Sequence, residues 1–234
     1  MKYFTFKQFR LTDERTAMKV GTDSVLLGSW LNKANYNNIL DIGCGSGLIS
    51  LMMAQRFAKA EIIGVEIDSN SVKDAKYNFE HSQWSHRLAV NQTDIRDFKS
   101  IIKYDLIISN PPFFTESLLP PKNSRAGARH DFQLSLDSLL ESVVRLLKSN
   151  GVFAVVFPYD RENVLIEKAS QANLYPQRIL HTRNKANAHF KRCFIEFQQK
   201  QLSKVETEML DIRNIDNEYS IAYRDLTKEF YLKF

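Results

Sequence analysis

Three of the eight glycines in this 234-residue chain, Gly43, Gly45 and Gly47, fall within five positions. They follow the apolar run Ile39-Leu-Asp-Ile and precede residues 48–59, whose apolar side chains recur at helical spacing. Glycine at such a turn permits positive φ and lets a ligand lie against bare backbone. Strand, glycine turn and helix in that order form the first unit of a parallel sheet covered by helices.

The rest of the chain continues the alternation. Residues 39–41, 61–66, 88–91, 104–109 and 152–157 read as strands, and 48–59, 71–80, 135–149 and 161–172 as helices, with Gly151 stopping the third of these. Two extended pieces, 177–182 and 193–198, flank a basic stretch and suggest a hairpin with a long cationic tip. Residues 22–34 read as a helix capped by Thr22 or Asp23, and the whole segment 1–35 packs on the sheet. At the other end, 219–234 carries aromatics at 219, 223, 230, 231 and 234 and docks as a helix or short strand. No repeat or low-complexity linker interrupts the sequence, so one domain spans 1–234.

At 44% hydrophobic and 25% charged, the composition excludes disorder and a disulfide scaffold. A chain of this length buries roughly 70% of its extended surface without metal staples. The start, MKYFTFKQFR, has no signal-peptide core, and no segment approaches the roughly 20 apolar residues of a membrane span. Cys44 and Cys193 have no metal-ligand spacing and read as free thiols of a cytoplasmic protein. The net charge of +5 is concentrated: from Pro176 to Arg192 stand Arg178, Arg183, Lys185, Lys191 and Arg192 with no acid. That is the footprint of an anionic partner such as nucleic acid, although a solvated loop has the same composition. The acidic stretch 206–218 is expected to face away from such a partner.

A dinucleotide loop would be G-x-G-x-x-G, but here Leu48 stands where the third glycine belongs. Asp41-Ile-Gly-Cys-Gly-Ser-Gly47 instead resembles the D-x-G-x-G-x-G loop of class I methyltransferases that use S-adenosylmethionine. That resemblance implies a Rossmann-like α/β fold: a mostly parallel seven-stranded sheet, helices on both faces and an antiparallel C-terminal hairpin. Two acids follow in the expected order. Glu66, 19 positions after Gly47, can accept both ribose hydroxyls, and Asp94 can accept the cofactor's adenine amine between the apolar walls Ile67 and Ile95.

Four of the six prolines cluster as well: Pro111, Pro112, Pro120 and Pro121. Asn110-Pro-Pro-Phe-Phe114 directly follows a strand, and its prolines fix φ and remove two amide donors, leaving carbonyls unopposed. It resembles the N-P-P-[FYW] motif of methyltransferases acting on planar amino groups. By that resemblance Asn110 and the Pro111 carbonyl hold both amine hydrogens while Pro112 stiffens the turn. Phe113 and Phe114 then offer faces for the base. Transfer would be direct, without metal or covalent enzyme intermediate.

Further segments narrow the family. Met18-Lys-Val-Gly-Thr-Asp-Ser-Val-Leu-Leu-Gly28, Ala128-Arg-His130 and Tyr219-Ser-Ile-Ala-Tyr-Arg-Asp-Leu-Thr-Lys-Glu-Phe-Tyr-Leu resemble the tRNA adenine-N6 methyltransferases that modify position 37 of a valine tRNA. The likeness runs from about residue 9 to the end. It implies a tRNA substrate, with Lys122, Arg125, Arg129, Arg183, Lys185, Lys191 and Arg192 toward phosphates. It also implies Lys19, Thr22 and Asp23 near the cofactor's methionine end, S-adenosylhomocysteine as coproduct and a monomeric enzyme. Guanine-N2 methylation of rRNA and glutamine methylation of a protein are alternatives within the class. An NAD-dependent oxidoreductase and a non-catalytic RNA-binding module are alternatives outside it.

Overall fold

The computed structural model describes residues 2–32, 34–111 and 134–233. In chain order, β1 (Phe4–Thr5) and β2 (Arg10–Leu11) form a small antiparallel hairpin, followed by α1 (Thr22–Trp30). Then come β3 (Asn38–Ile42), α2 (Leu48–Arg56), β4 (Glu61–Glu66), α3 (Ser69–Glu80), β5 (Leu88–Gln92) and β6 (Tyr104–Ser109). Beyond residue 133 follow α4 (Leu136–Leu146), β7 (Leu147–Pro158), α5 (Glu162–Gln171), β8 (Tyr175–Arg183), β9 (Arg192–Gln198), β10 (Glu206–Asp211) and α6 (Ile221–Thr227).

The large sheet has the order β10-β8-β9-β7-β6-β3-β4-β5 and is parallel except for β9, which runs against β7 and β8. Alternate residues of β7 serve two cores. Ala154 and Val156 pack with α1, α2 and α6, whereas Phe153, Val155 and Phe157 pack with α4 and α5. The chain therefore reads as a near-continuous apolar run at this strand, as a sheet covered on both faces requires.

The α/β architecture and the β8–β9 hairpin match the expectation, with differences in detail. The sheet has eight strands rather than seven, because β10 adds to the far edge, parallel to β8. The first part of the acidic stretch 206–218 is this strand: residues 206–211 pair with the basic strand β8, and Arg178 reaches Glu208 at 2.6 Å. Gly151 is not a helix stop. α4 ends at Leu146, and Gly151 lies inside β7, where the register against β6 shifts between Tyr104 and Leu106. α1 is capped at Gly21 without a side-chain bond, not by Thr22 or Asp23, and it ends at Trp30. Its last carbonyls are taken up by Arg56 from α2, which donates to Gly28, Ser29 and Leu31.

Among the described residues no helix is long and apolar enough to cross a membrane. Cys44 and Cys193 are both buried free thiols, and burial pushes both above the ordinary thiol range.

Candidate active site

Parallel register brings the motifs together. Ile42 of β3 pairs with Ser109 of β6 on one side and with Val65 of β4 on the other, so Asn110, Gly43 and Glu66 leave the sheet side by side. This is the point where the chain, having built β3, β4 and β5 outward, crosses back to place β6 on the other side of β3. Ligands of open α/β sheets bind at such switch points. Ser109 ties the two loops by donating to the Ile42 carbonyl at 2.8 Å.

The glycine loop takes positive φ at Gly43 (69°), Gly45 (56°) and Gly47 (84°). At Gly43 a Cβ would project into open space, whereas at Gly47 it would lie 2.3 Å from the Phe79 ring. Glu66 is fixed by three amides: Gly45 donates to Oε2 at 2.9 Å, and Ile67 and Asp68 donate to Oε1 at 2.8 and 2.9 Å. The loop and Glu66 border a cavity of ≈ 370 Å³, which Ile67, Asp94, Ile95, Asn110 and Pro111 also line. Asp94 is oriented by Arg96, whose hydrogen bonds hold its carboxyl below the usual carboxylate range.

Asp41 stands behind this wall rather than on it. Ser50 donates to its Oδ2 at 2.7 Å, Oδ1 has no hydrogen-bond partner, and burial pushes its carboxyl up to about 7. Gly47 likewise shapes the loop without lining the cavity.

The roof of this cavity comes from Thr16, Ala17 and Met18, which sequence reasoning missed. Their position is set by α3. Buried Asp74 accepts from the amides of Arg15 and Thr16 and from the Thr16 hydroxyl, at 2.8 to 3.0 Å. One turn later, Asn78 accepts from the Thr12 amide and donates to the carbonyls of Thr12 and Ser46. Two polar residues four apart on the buried face of a helix are the sequence signal that could have found this clasp.

A second cavity, of ≈ 690 Å³, shares Met18 and Asn110 with the first. Lys19, Thr22 and Asp23 line this larger space and not the smaller one. Lys19 donates to the carbonyls of Asp13, Glu14 and Thr16, and so closes the roof segment on itself. Asn110 Nδ2 donates one of its two hydrogens to Ser24 Oγ at 2.8 Å, which orients the amide and keeps Oδ1 as its acceptor end.

The basic stretch is less bare in space than in sequence. Arg183 bonds Asp211, and Arg192 bonds Asp23 at 2.7 Å, while Lys185 lines the larger cavity and Lys191 is exposed. Pro112, Phe113, Phe114, Lys122, Arg125 and Arg129 lie outside the described residues.

Comparison with known proteins settles the family. The methyltransferase small domain matches residues 16–162. The tRNA1(Val) (adenine(37)-N6)-methyltransferase of Bacteroides fragilis is 43% identical, over 99% of this chain and 98% of its own length. The protein of the same description from Phocaeicola vulgatus is 44% identical over 98% and 97%. The chain belongs to this family of methyltransferases.

Among solved structures, the "predicted O-methyltransferase" of Agrobacterium tumefaciens superposes with a TM-score of 0.68 at 15% identity, covering 89% of this chain and 96% of that one. The ribosomal protein L11 methylase of Lactobacillus delbrueckii subsp. bulgaricus gives 0.57 at 16%, covering 80% and 83%. These likenesses show the methyltransferase fold. The general domain match stops at residue 162, whereas the tRNA1(Val) (adenine(37)-N6)-methyltransferases share the chain almost end to end. β8, β9, β10 and α6 thus lie outside the general domain and inside the length the family shares.

Proposed function

We propose that this chain transfers a methyl group from S-adenosylmethionine to the exocyclic N6 of an adenine in tRNA, the target being adenine 37 of a valine tRNA. One observation carries the reading: Asn110 lies where the two cavities meet, so one group faces a cofactor on one side and a substrate on the other. The names of the relatives supply the substrate.

The smaller cavity fits the cofactor. Gly43 leaves the backbone bare at its wall, Glu66 presents a carboxylate already fixed by three amides, and Ile67 and Ile95 are apolar. When bound, S-adenosylmethionine supplies an electrophilic methyl carbon on a sulfonium. Glu66 would accept its ribose hydroxyls, Asp94 its adenine amine, and the loop would approach its methionine portion at Gly43 and Gly45, with Asp41 and Gly47 shaping it from behind.

The target nitrogen is a poor nucleophile because its lone pair is delocalised into the ring. Asn110 Oδ1 and the Pro111 carbonyl accept its two hydrogens and hold the lone pair on a line toward the first cavity, with the geometry set before the reaction begins. Both acceptors are neutral and cannot keep the proton that the amine sheds, which leaves to water. By the family resemblance Phe113 stacks on the flipped base, and Phe114 offers a second apolar face. Lys185, Lys191, Arg125 and Arg129 meet phosphates, and Arg183 and Arg192 add to that field while ion-paired. We read the enzyme as a monomer of one domain acting in the cytoplasm.

Asn110→Ala tests the site. Turnover on tRNA should fall by about 10²-fold or more, while S-adenosylhomocysteine affinity, measured by calorimetry, stays within about threefold. Lost coproduct binding with normal turnover at saturation would refute the role.

A further inference from the structure

The larger cavity has a wall that the methyl transfer does not use. It consists of Ile212, Arg213, Asn217 and Tyr219, after β10, with Asn184 and Lys185 from the tip of the β8–β9 hairpin. There the Arg213 guanidinium lies 4.1 Å from the Tyr219 ring centroid, and Tyr219 stacks on buried Tyr223 at 5.1 Å and 16°. Main-chain bonds fix the loop. Arg213 donates its amide to Asn184 and accepts from Ala186, and Asn214 donates to Glu218 at 2.8 Å. The guanidinium itself donates from Nη1 to the Asn217 carbonyl at 2.7 Å.

A flat cation is therefore preset on the wall of a cavity that also contains Asn110. One edge of the Arg213 fork is already committed to Asn217, which weakens it as a bidentate phosphate clamp but keeps its plane in place. Planar guanidinium groups and aromatic rings are the surfaces on which unstacked RNA bases are received, and single-stranded loops supply such bases. Lys185, on the same wall, adds a point charge.

We propose that this wall is a second base-binding site, in which Arg213 backed by Tyr219 stacks a nucleobase adjacent to the target adenine. Lys185 meets the phosphate between the two nucleotides. The inference rests on the reading of RNA as substrate and of Asn110 as the holder of the target amine. It accounts for the C-terminal Tyr219-Ser-Ile-Ala-Tyr223 motif, which carries the stack that keeps the neighbouring nucleotide still while the adenine is turned into the site.

The test is a binding measurement, independent of turnover. An anticodon stem-loop RNA carrying 2-aminopurine at each neighbour of the target adenine is titrated with full-length protein saturated with S-adenosylhomocysteine. Wild type should quench the probe at one of the two positions. Arg213→Ala and Arg213→Lys should both remove that quenching and weaken RNA binding about tenfold or more, with coproduct affinity unchanged. An abasic neighbour should weaken wild type by a similar factor and weaken Arg213→Ala no further. Tyr219→Leu, which keeps the cation and removes its backing, should lose the quenching too, and it serves as the second variant if Arg213→Ala lowers the melting temperature.

Unchanged quenching in Arg213→Ala, or full rescue by Arg213→Lys, would overturn the stack. Wild type that binds and quenches but methylates no adenine would leave this site standing and bring down the proposed activity. Wild type that binds no RNA would bring down both.

Discussion

Gly43 and Gly47 stand four residues apart in one loop, both at positive φ, yet alanine should do different things at each. At Gly43 the new methyl points into the space proposed for the cofactor, so coproduct affinity should collapse while stability falls by only the roughly 1–2 kcal/mol of a left-handed alanine. At Gly47 the methyl meets the Phe79 ring, and repacking adds about 1–3 kcal/mol to that strain. Urea melts and calorimetry on both variants separate the two effects. Asp41 links stability to pH. Its folded carboxyl titrates near 7 against an ordinary 3.8 because burial disfavours the charge. Between those values the folded state holds the extra proton, so this group's contribution falls as pH rises through the window, by up to about 1.4 kcal/mol per pH unit. Asp41→Asn should remove that decline in urea melts at pH 5 to 8, and an unchanged slope would contradict it. Glu66 was legible in the sequence because strand order and spacing fix it. Lys19 was not, because its partners are three carbonyls that become neighbours only when residues 13–19 fold back.

α3 does more than cover the sheet, since Asp74 and Asn78 hold the segment that roofs the smaller cavity. Asp74→Ala leaves the Thr16 amide buried without an acceptor and should cost about 2–4 kcal/mol. Little of that comes from Arg15, whose side chain is 42% exposed. Amide exchange at Thr16 should accelerate and coproduct affinity should weaken together; affinity that held while the amide opened would show that the roof is dispensable. Strands β4 and β6 were legible to the residue, because short apolar runs flanked by polar turns mark buried parallel strands. β10 was not legible. Glu-Thr-Glu-Met-Leu-Asp alternates acids with few apolar residues and reads as solvated chain, and what recruits it is the charge of β8, through Arg178 with Glu208 and Arg183 with Asp211. The β1–β2 hairpin was missed for a related reason: each strand is two residues long, too short for any period.

For the whole molecule, the excess of +5 is distributed differently from the sequence impression. The basic stretch becomes one strand and one tip whose arginines are largely matched by β10 and Asp23. The basic side chains that line the larger cavity are Lys19, Lys185 and Arg213. The fold was legible because strand-glycine-helix order dictates a parallel sheet. The junction of two cavities at Asn110 was not, because it depends on Ser24 and the roof segment meeting a loop 86 residues further along. If this junction methylates adenine N6 in tRNA, the product nucleoside reveals it. Purified protein, isotopically labelled S-adenosylmethionine and unmodified valine tRNA are incubated, and the RNA is digested to nucleosides and analysed by mass spectrometry. Label in N6-methyladenosine, lost when the target adenine is replaced, is the predicted result; label in guanosine, in cytidine or only in protein would contradict it.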